Sequence, residues 1–135
     1  MYQLETRFLI VDDMVLIRKA QIKILTGLGY FDFVEASDGL MALKAIHSET
    51  PPIEIIICDW KMPNMSGLAF LKIIRSNPLT KDVPFIMVTA ESEKAQIIDA
   101  IKAGVSDYII KPFSRNDLVE KLTNTYSRKK STVKS

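Results

Sequence analysis

Polar side chains of chemical interest stand at the ends of apolar runs in this chain. Asp12 and Asp13 follow Phe8–Val11, Asp59 follows Ile55–Cys58, Thr89 follows Phe85–Val88, and Lys111 follows Tyr108–Ile110. Taken singly, each has an ordinary structural reading. An aspartate after a strand caps the next helix, a threonine belongs in a strand, and a lysine before a proline sits in solvent. Together they describe chemistry. Three carboxylates brought into one pocket repel, and one of them holds a proton unless a cation compensates. An all-oxygen donor set favours a hard ion, and Mg2+, which keeps several of its waters, suits a shallow, exposed site. The single histidine, His47, and single cysteine, Cys58, argue against zinc. Carboxylate, hard cation, lysine and hydroxyl form a phosphoryl-transfer set, in which an aspartate oxygen attacks phosphorus and cations stabilise charge on the equatorial oxygens. Asp59 is the candidate nucleophile, Asp12 and Asp13 are adjacent as metal ligands would be, and Lys111 and Thr89 can each hold a phosphoryl oxygen.

Such a set works only if the fold gathers it. The apolar runs, with a weaker one at Phe33–Ala36, do not alternate with polar residues, so they read as strands of a parallel sheet covered on both faces. Helices are expected between them. Met14, Ile17, Gln21, Ile24, Leu25 and Leu28 follow helical spacing and Gly29 supplies a stop. Ala42, Leu43 and Ile46 mark a second helix. A third runs from Ser66 to Ser76 with Leu68, Leu71 and Ile74 inward. The fourth and fifth centre on Ile98 and Leu122; Ser114 or Asn116 caps the fifth, whose inward stripe is Leu118, Leu122 and Tyr126. The order is strand then helix, repeated to make a (βα)5 doubly wound α/β sandwich, and ligands of such sheets bind at the carboxyl ends of the strands. That is where the acids, the hydroxyl and the amine would converge.

Composition is consistent with one packed domain: 135 residues, 47% hydrophobic and 25% charged. No internal repeat is evident. One cysteine excludes an intramolecular disulfide. No apolar run approaches the ~18 residues of a membrane span, so the expected protein is soluble, cytoplasmic and not inserted in a membrane. Four of the 18 Lys and Arg crowd into 128–135, where no acid answers them. Residues 1–127 are therefore read as the domain and 128–135 as a basic flexible tail or linker stub, with no direct nucleic-acid role for the domain.

The acidic pair Asp12 and Asp13, the stretch Asp59-Trp60-Lys61-Met62-Pro63-Asn64-Met65-Ser66-Gly67, the stretch Val88-Thr89-Ala90-Glu91, and Tyr108 to Phe113 with Lys111 before Pro112 resemble the CheY-like receiver domains of two-component response regulators. The resemblance covers Phe8 to about Tyr126. It implies a flavodoxin-like strand order 2-1-3-4-5, phosphorylation of Asp59 by a sensor histidine kinase, and Mg2+ held by Asp13, Asp59 and the main-chain carbonyl of Lys61, with Asp12 helping through water. It also implies a cis peptide before Pro112 and a switch in which the Thr89 hydroxyl turns toward the phosphoryl group while Tyr108 moves inward. On this reading the protein is not an enzyme but a phosphoacceptor that assists its own phosphorylation and dephosphorylation. The output would be a changed affinity for a protein target such as the flagellar motor switch protein in chemotaxis, with the chain a monomer. Its output face would be the fourth helix, fifth strand and fifth helix. The alternative is the receiver of a longer regulator with a DNA-binding or enzymatic output domain. A flavodoxin-like electron carrier or an aspartate-nucleophile phosphatase is disfavoured, since the first loop is neither a phosphate cradle nor an Asp-x-Asp pair. Lys61 departs from the Asn common in chemotaxis members, which bears on the lifetime of the phosphorylated form. The apolar opening of the first helix, Met14-Val15-Leu16-Ile17, admits two readings: a docking face for a histidine-containing donor, or core packing.

Overall fold

The structure, a computed structural model, describes residues 1–90 and 94–134. Five strands alternate with five helices: β1 Arg7–Val11, α1 Val15–Gly27, β2 Asp32–Ala36, α2 Gly39–Ser48, β3 Ile55–Asp59, α3 Gly67–Ser76, β4 Phe85–Thr89, α4 Lys94–Lys102, β5 Asp107–Ile110 and α5 Arg115–Lys134. All strands are parallel in one sheet, as the apolar runs lead one to expect, and their order β2-β1-β3-β4-β5 is the one the family resemblance implies.

The absence of apolar–polar alternation in the central strands has a direct cause, because successive side chains serve two different cores. Phe8 and Ile10, Ile55 and Ile57, Ile86 and Val88 point to one face, where they meet Leu25 of α1 and Leu118 and Leu122 of α5. Leu9 and Val11, Ile56 and Cys58, Phe85 and Met87 point to the other, against Ala42 of α2 and Phe70, Leu71 and Ile74 of α3. Phe70 is fully buried and tilts against Phe85, whereas Leu68, expected inward, is half-buried. Burying both faces of β1, β3 and β4 at about 25 cal/mol per Å2 of apolar area is what fixes their register.

Helix ends carry their own signals. Gly29, at φ 104°, follows the end of α1 in the left-handed region that a side chain disfavours. Ser66 caps α3 by accepting from Ala69 N at 3.1 Å. For α5 the cap is Ser114 and not Asn116: Asp117 N donates to Ser114 Oγ at 3.1 Å, and Asp117 Oδ2 accepts from Ser114 N at 2.9 Å. The α5 helix continues through Lys134, past residue 127 where the sequence suggests that the domain gives way to a tail, and Arg128 on it reaches back to Asp107 at 3.1 Å. No helix among the described residues is long and apolar enough to cross a membrane.

The apolar opening of α1 is mostly not core, Ile17 alone being half-buried. Met14, Val15 and Leu16 are exposed, Leu16 by 77%, because the buried side of α1 is carried by Gln21 and Leu25 further along.

Candidate functional site

Register places the chemistry. Val11 pairs with Cys58 and Asp59 pairs with Val88, so Asp12, Asp59 and Thr89 leave three adjacent strands at nearly one level. Thr89 pairs with Ile110, and Lys111 N donates to Thr89 O at 2.7 Å, which brings Lys111 to the same edge. There Lys111 Nζ lies 3.0 Å from Asp12 Oδ2 and 3.0 Å from Asp59 Oδ1. Oxygens of Asp12, Asp13 and Asp59 all lie within 4.8 Å of one another. Asp12 is fully buried, Asp59 is 8% exposed and Asp13 faces solvent. The peptide bond between Lys111 and Pro112 is cis.

The electrostatics follow from burial and from one amine serving two acids. Burial pushes the Asp59 carboxyl up from its ordinary range, and the neighbouring Asp12 charge adds to this; the hydrogen bond from Lys111 opposes it but does not prevail. Burial also disfavours the Lys111 ammonium, yet its hydrogen bonds to Asp12 and Asp59 outweigh that cost and hold its pKa above the usual lysine range. The pocket is therefore short of positive charge at Asp59. A hard divalent ion fits this set, since its donors are all oxygens, one of them on an exposed residue that leaves room for retained water.

Local geometry is held from three sides. Asp12 Oδ1 accepts from Met14 N at 2.9 Å, while Arg18 Nη1 donates to Asp12 O at 2.6 Å and Arg18 Nε pairs with Glu35 at 3.0 Å. Lys19 adds a second cation on Glu35 at 2.7 Å. The loop after β3 is clamped by Asn64, at φ 67°, whose Nδ2 donates to Asp38 Oδ2 at 2.7 Å. Beneath it α3 presses on the backbone of Asp59: Gly67 N donates to Trp60 O at 2.9 Å, and a Cβ on Gly67 would lie 2.3 Å from Asp59 O.

That contact yields a prediction. Alanine in a helix gains about 1 kcal/mol over glycine in propensity. At position 67 the gain is reversed, because the obstructing atom is backbone. Gly67→Ala should cost about 1–3 kcal/mol, the range for forced overpacking, with loss of the Lys111–Asp59 contact. Denaturant unfolding checks the first claim; an unchanged midpoint would show that α3 slides freely away from β3.

Of the remaining candidates, Thr89 is buried and its Oγ1 donates to Gln96 Oε1 of α4 at 3.3 Å. Tyr108 is half-buried, with Lys121 Nζ 5.4 Å from its ring centroid. Lys61 is exposed in the loop beside the site, and Glu91 lies outside the described residues. Arg18, Gly67 and Gln96 are the structural partners that sequence reasoning passed over. Only Gly67 had a signal, lying within the stretch after Asp59.

Residues 8–123 match the response regulator receiver domain family. The chain belongs to that family. Among relatives of the receiver, the chemotaxis protein CheY of Pseudomonas aeruginosa is 38% identical over 122 residues, covering 90% of this chain and 97% of its own. CheY1 of Helicobacter pylori is 41% identical over 116 residues, 86% of this chain and 93% of its own. Among solved structures, the Vibrio cholerae chemotaxis response regulator CheY4 superposes with a TM-score of 0.81 at 29% identity, covering 90% of this receiver and 98% of that chain. A CheY-like receiver domain protein of Methanospirillum hungatei gives 0.83 at 28% identity, with 95% and 98% covered. A receiver of this type is a phospho-accepting switch, which implies a histidine kinase as donor and a protein as target.

Proposed function

We propose that this receiver takes a phosphoryl group from a sensor histidine kinase onto Asp59 and passes the change to a protein target, with chemotactic control of the flagellar motor switch as the favoured setting. The observation that carries the reading is the convergence of Asp12, Asp13, Asp59 and Lys111, with one lysine bridging two buried carboxylates. In the proposed step an Asp59 carboxylate oxygen bonds to phosphorus as the donor's imidazole nitrogen leaves, and Lys111 Nζ moves from Asp59 to an oxygen of the transferred group. Asp13, Asp59 and the Lys61 carbonyl would hold Mg2+, with Asp12 behind them. That ion supplies positive charge against the phosphoryl oxygens. Thr89 exchanges Gln96 for a phosphoryl oxygen, and Tyr108 follows inward, so that α4, β5 and α5 present a changed face. Residues 1–127 carry this switch; 128–135 form a basic extension. The chemotaxis setting is favoured because its CheY relatives, matched over 97% and 93% of their lengths, are chemotaxis proteins.

Donor recognition has a surface of its own. Met14, Val15 and Leu16 are exposed at the opening of α1, beside a groove of about 440 Å3 lined by Ile17, Ile24, Ala90, Lys111 and Phe113. An apolar helix bearing the donor histidine would cover both and deliver the imidazole beside Lys111.

The test pairs two donors. Acetyl phosphate with Mg2+ should form an acid-labile adduct on wild type and none in EDTA. Leu16→Glu should accept phosphoryl from acetyl phosphate at the wild-type rate but from a phosphorylated histidine kinase at least about tenfold more slowly, a loss of ~1.4 kcal/mol in encounter. No adduct with either donor would sink the phosphoacceptor reading. Equal loss with both donors would sink the docking face alone.

A further inference from the structure

The opposite edge of the sheet carries a second concave site that phosphoryl transfer does not use. Between the end of α3, the segment after it, the start of β5 and α5 lies a cleft of about 550 Å3, lined by Arg75, Lys81, Asp82, Ser106, Arg128 and Lys129 among others. Its charge is one-sided, with four cationic side chains against one acid.

Two features of the wall go beyond a basic surface. Arg75 is held by neutral acceptors only: Nε donates to Gly104 O at 2.7 Å, Nη1 to Lys81 O at 3.0 Å and Val83 O at 2.7 Å, and Nη2 to Ser106 Oγ at 3.2 Å. A guanidinium carries five N–H donors, so Nη2 keeps one in hand. No carboxylate among the described residues hydrogen-bonds to it, and burial works against its charge, offset only in part by Asp82. Ser106 Oγ accepts from both Arg75 and Phe85 N, the latter at 2.9 Å, which uses both of its lone pairs. Its hydroxyl hydrogen has no acceptor among the described residues. Behind it Asp107 already serves Arg128 at 3.1 Å and Lys121 at 3.4 Å, so this carboxylate is already shared.

We propose that this cleft binds a small phosphate-bearing ligand of mononucleotide size. The volume lies within the range of small-molecule sites, and an arginine–lysine wall with a spare hydroxyl donor suits phosphate oxygens. The phosphate oxygens take the Ser106 hydroxyl and the remaining Arg75 donor, while Lys81 and Lys129 close over them from the rim. The site lies at the amino-terminal ends of β4 and β5, and Asp59 ends β3 at its carboxyl end. Occupancy therefore does not obstruct Asp59.

The experiment is an NMR titration of the full chain with AMP, adenosine and inorganic phosphate at low and moderate salt. Saturable shifts of the Val105, Ser106 and Lys81 amides are expected with AMP, weaker ones at the same residues with phosphate, and none with adenosine. Lys81→Ala/Lys129→Ala, which alters only exposed side chains, should weaken AMP binding at least tenfold while acetyl phosphate labelling of Asp59 stays at the wild-type rate. Equal shifts with adenosine would replace a phosphate site with a nucleoside site. Shifts that do not saturate, that spread over all lysines, or that survive unchanged in the double variant would overturn the proposal.

Discussion

Asp59→Asn is expected to abolish the acid-labile adduct formed from acetyl phosphate and Mg2+, and at the same time to raise the melting temperature measured in EDTA. The first effect is chemical, because an amide oxygen does not form the acyl phosphate. The second follows from the cost of the ionised group. Burial holds the Asp59 carboxyl above its ordinary pKa in the folded protein. A raised carboxyl pKa means that the folded state binds the proton more tightly than the unfolded state does. Folding stability therefore falls as pH rises through the folded pKa and stays lower at neutral pH. The neutral amide removes that cost and leaves Lys111 with Asp12, its other partner at 3.0 Å. With Mg2+ the order should reverse, since a ligand that binds only the folded state stabilises in proportion to its occupancy. Asp13→Ala should lose the Mg2+ response, read as quenching of Trp60, while keeping its EDTA melting temperature near wild type, because Asp13 faces solvent. Intact-mass analysis and thermal melts decide. An undiminished adduct on Asp59→Asn, or a lower melting temperature in EDTA, would contradict the assignment.

How far the site was legible in the sequence depends on which link carried each residue. Asp12, Asp59, Thr89 and Lys111 could be found because each follows an apolar run, and parallel register turns a position in a run into a position in space. The strand order came with the family resemblance, since no pattern in one chain says which strands are neighbours. The apolar opening of α1 was open to two readings for a physical reason. A helical stripe predicts one buried face, but Met14, which precedes α1, and Val15 and Leu16, which begin it, follow the end of β1 and are exposed. Arg18 and Gln96 were invisible, and so was the contact that Asn64 makes from within the motif after Asp59, because their partners Asp12, Thr89 and Asp38 sit on other elements, and such contacts exist only after the chain has folded. The same holds for Arg75, whose four acceptors come from two separate segments, one before β4 and one before β5.

Lys111→Ala is expected to separate two roles of one side chain, with labelling of Asp59 slowed but retained and the response at α4, β5 and α5 lost. In the unphosphorylated protein Lys111 neutralises two buried carboxylates, so its removal should destabilise the fold in EDTA by an amount near the lower end of the roughly 3–5 kcal/mol for breaking a buried pair, its ammonium being partly exposed. That contribution belongs to the charged lysine, whose pKa is held up in the fold; it is complete at neutral pH and lost only as pH rises through that raised value. Mg2+ should therefore stabilise the variant more than wild type, where the ion competes with Lys111 for the same oxygens. Beryllofluoride, a mimic of the phosphorylated state, then isolates the switch. In wild type the Thr89 hydroxyl must leave Gln96, 3.3 Å away on α4, to reach the new oxygens, and amide shifts should appear across residues 94–126. Thr89→Ala has no hydroxyl to move, and Lys111→Ala has no cation to fix the phosphoryl group in the orientation Thr89 reads. Both should bind beryllofluoride with shifts confined to the loop after Asp59. If either variant changed as fully as wild type along α4 and β5, the signal would have to leave through another face, and the contact between Thr89 and Gln96 would be packing without a part in the switch.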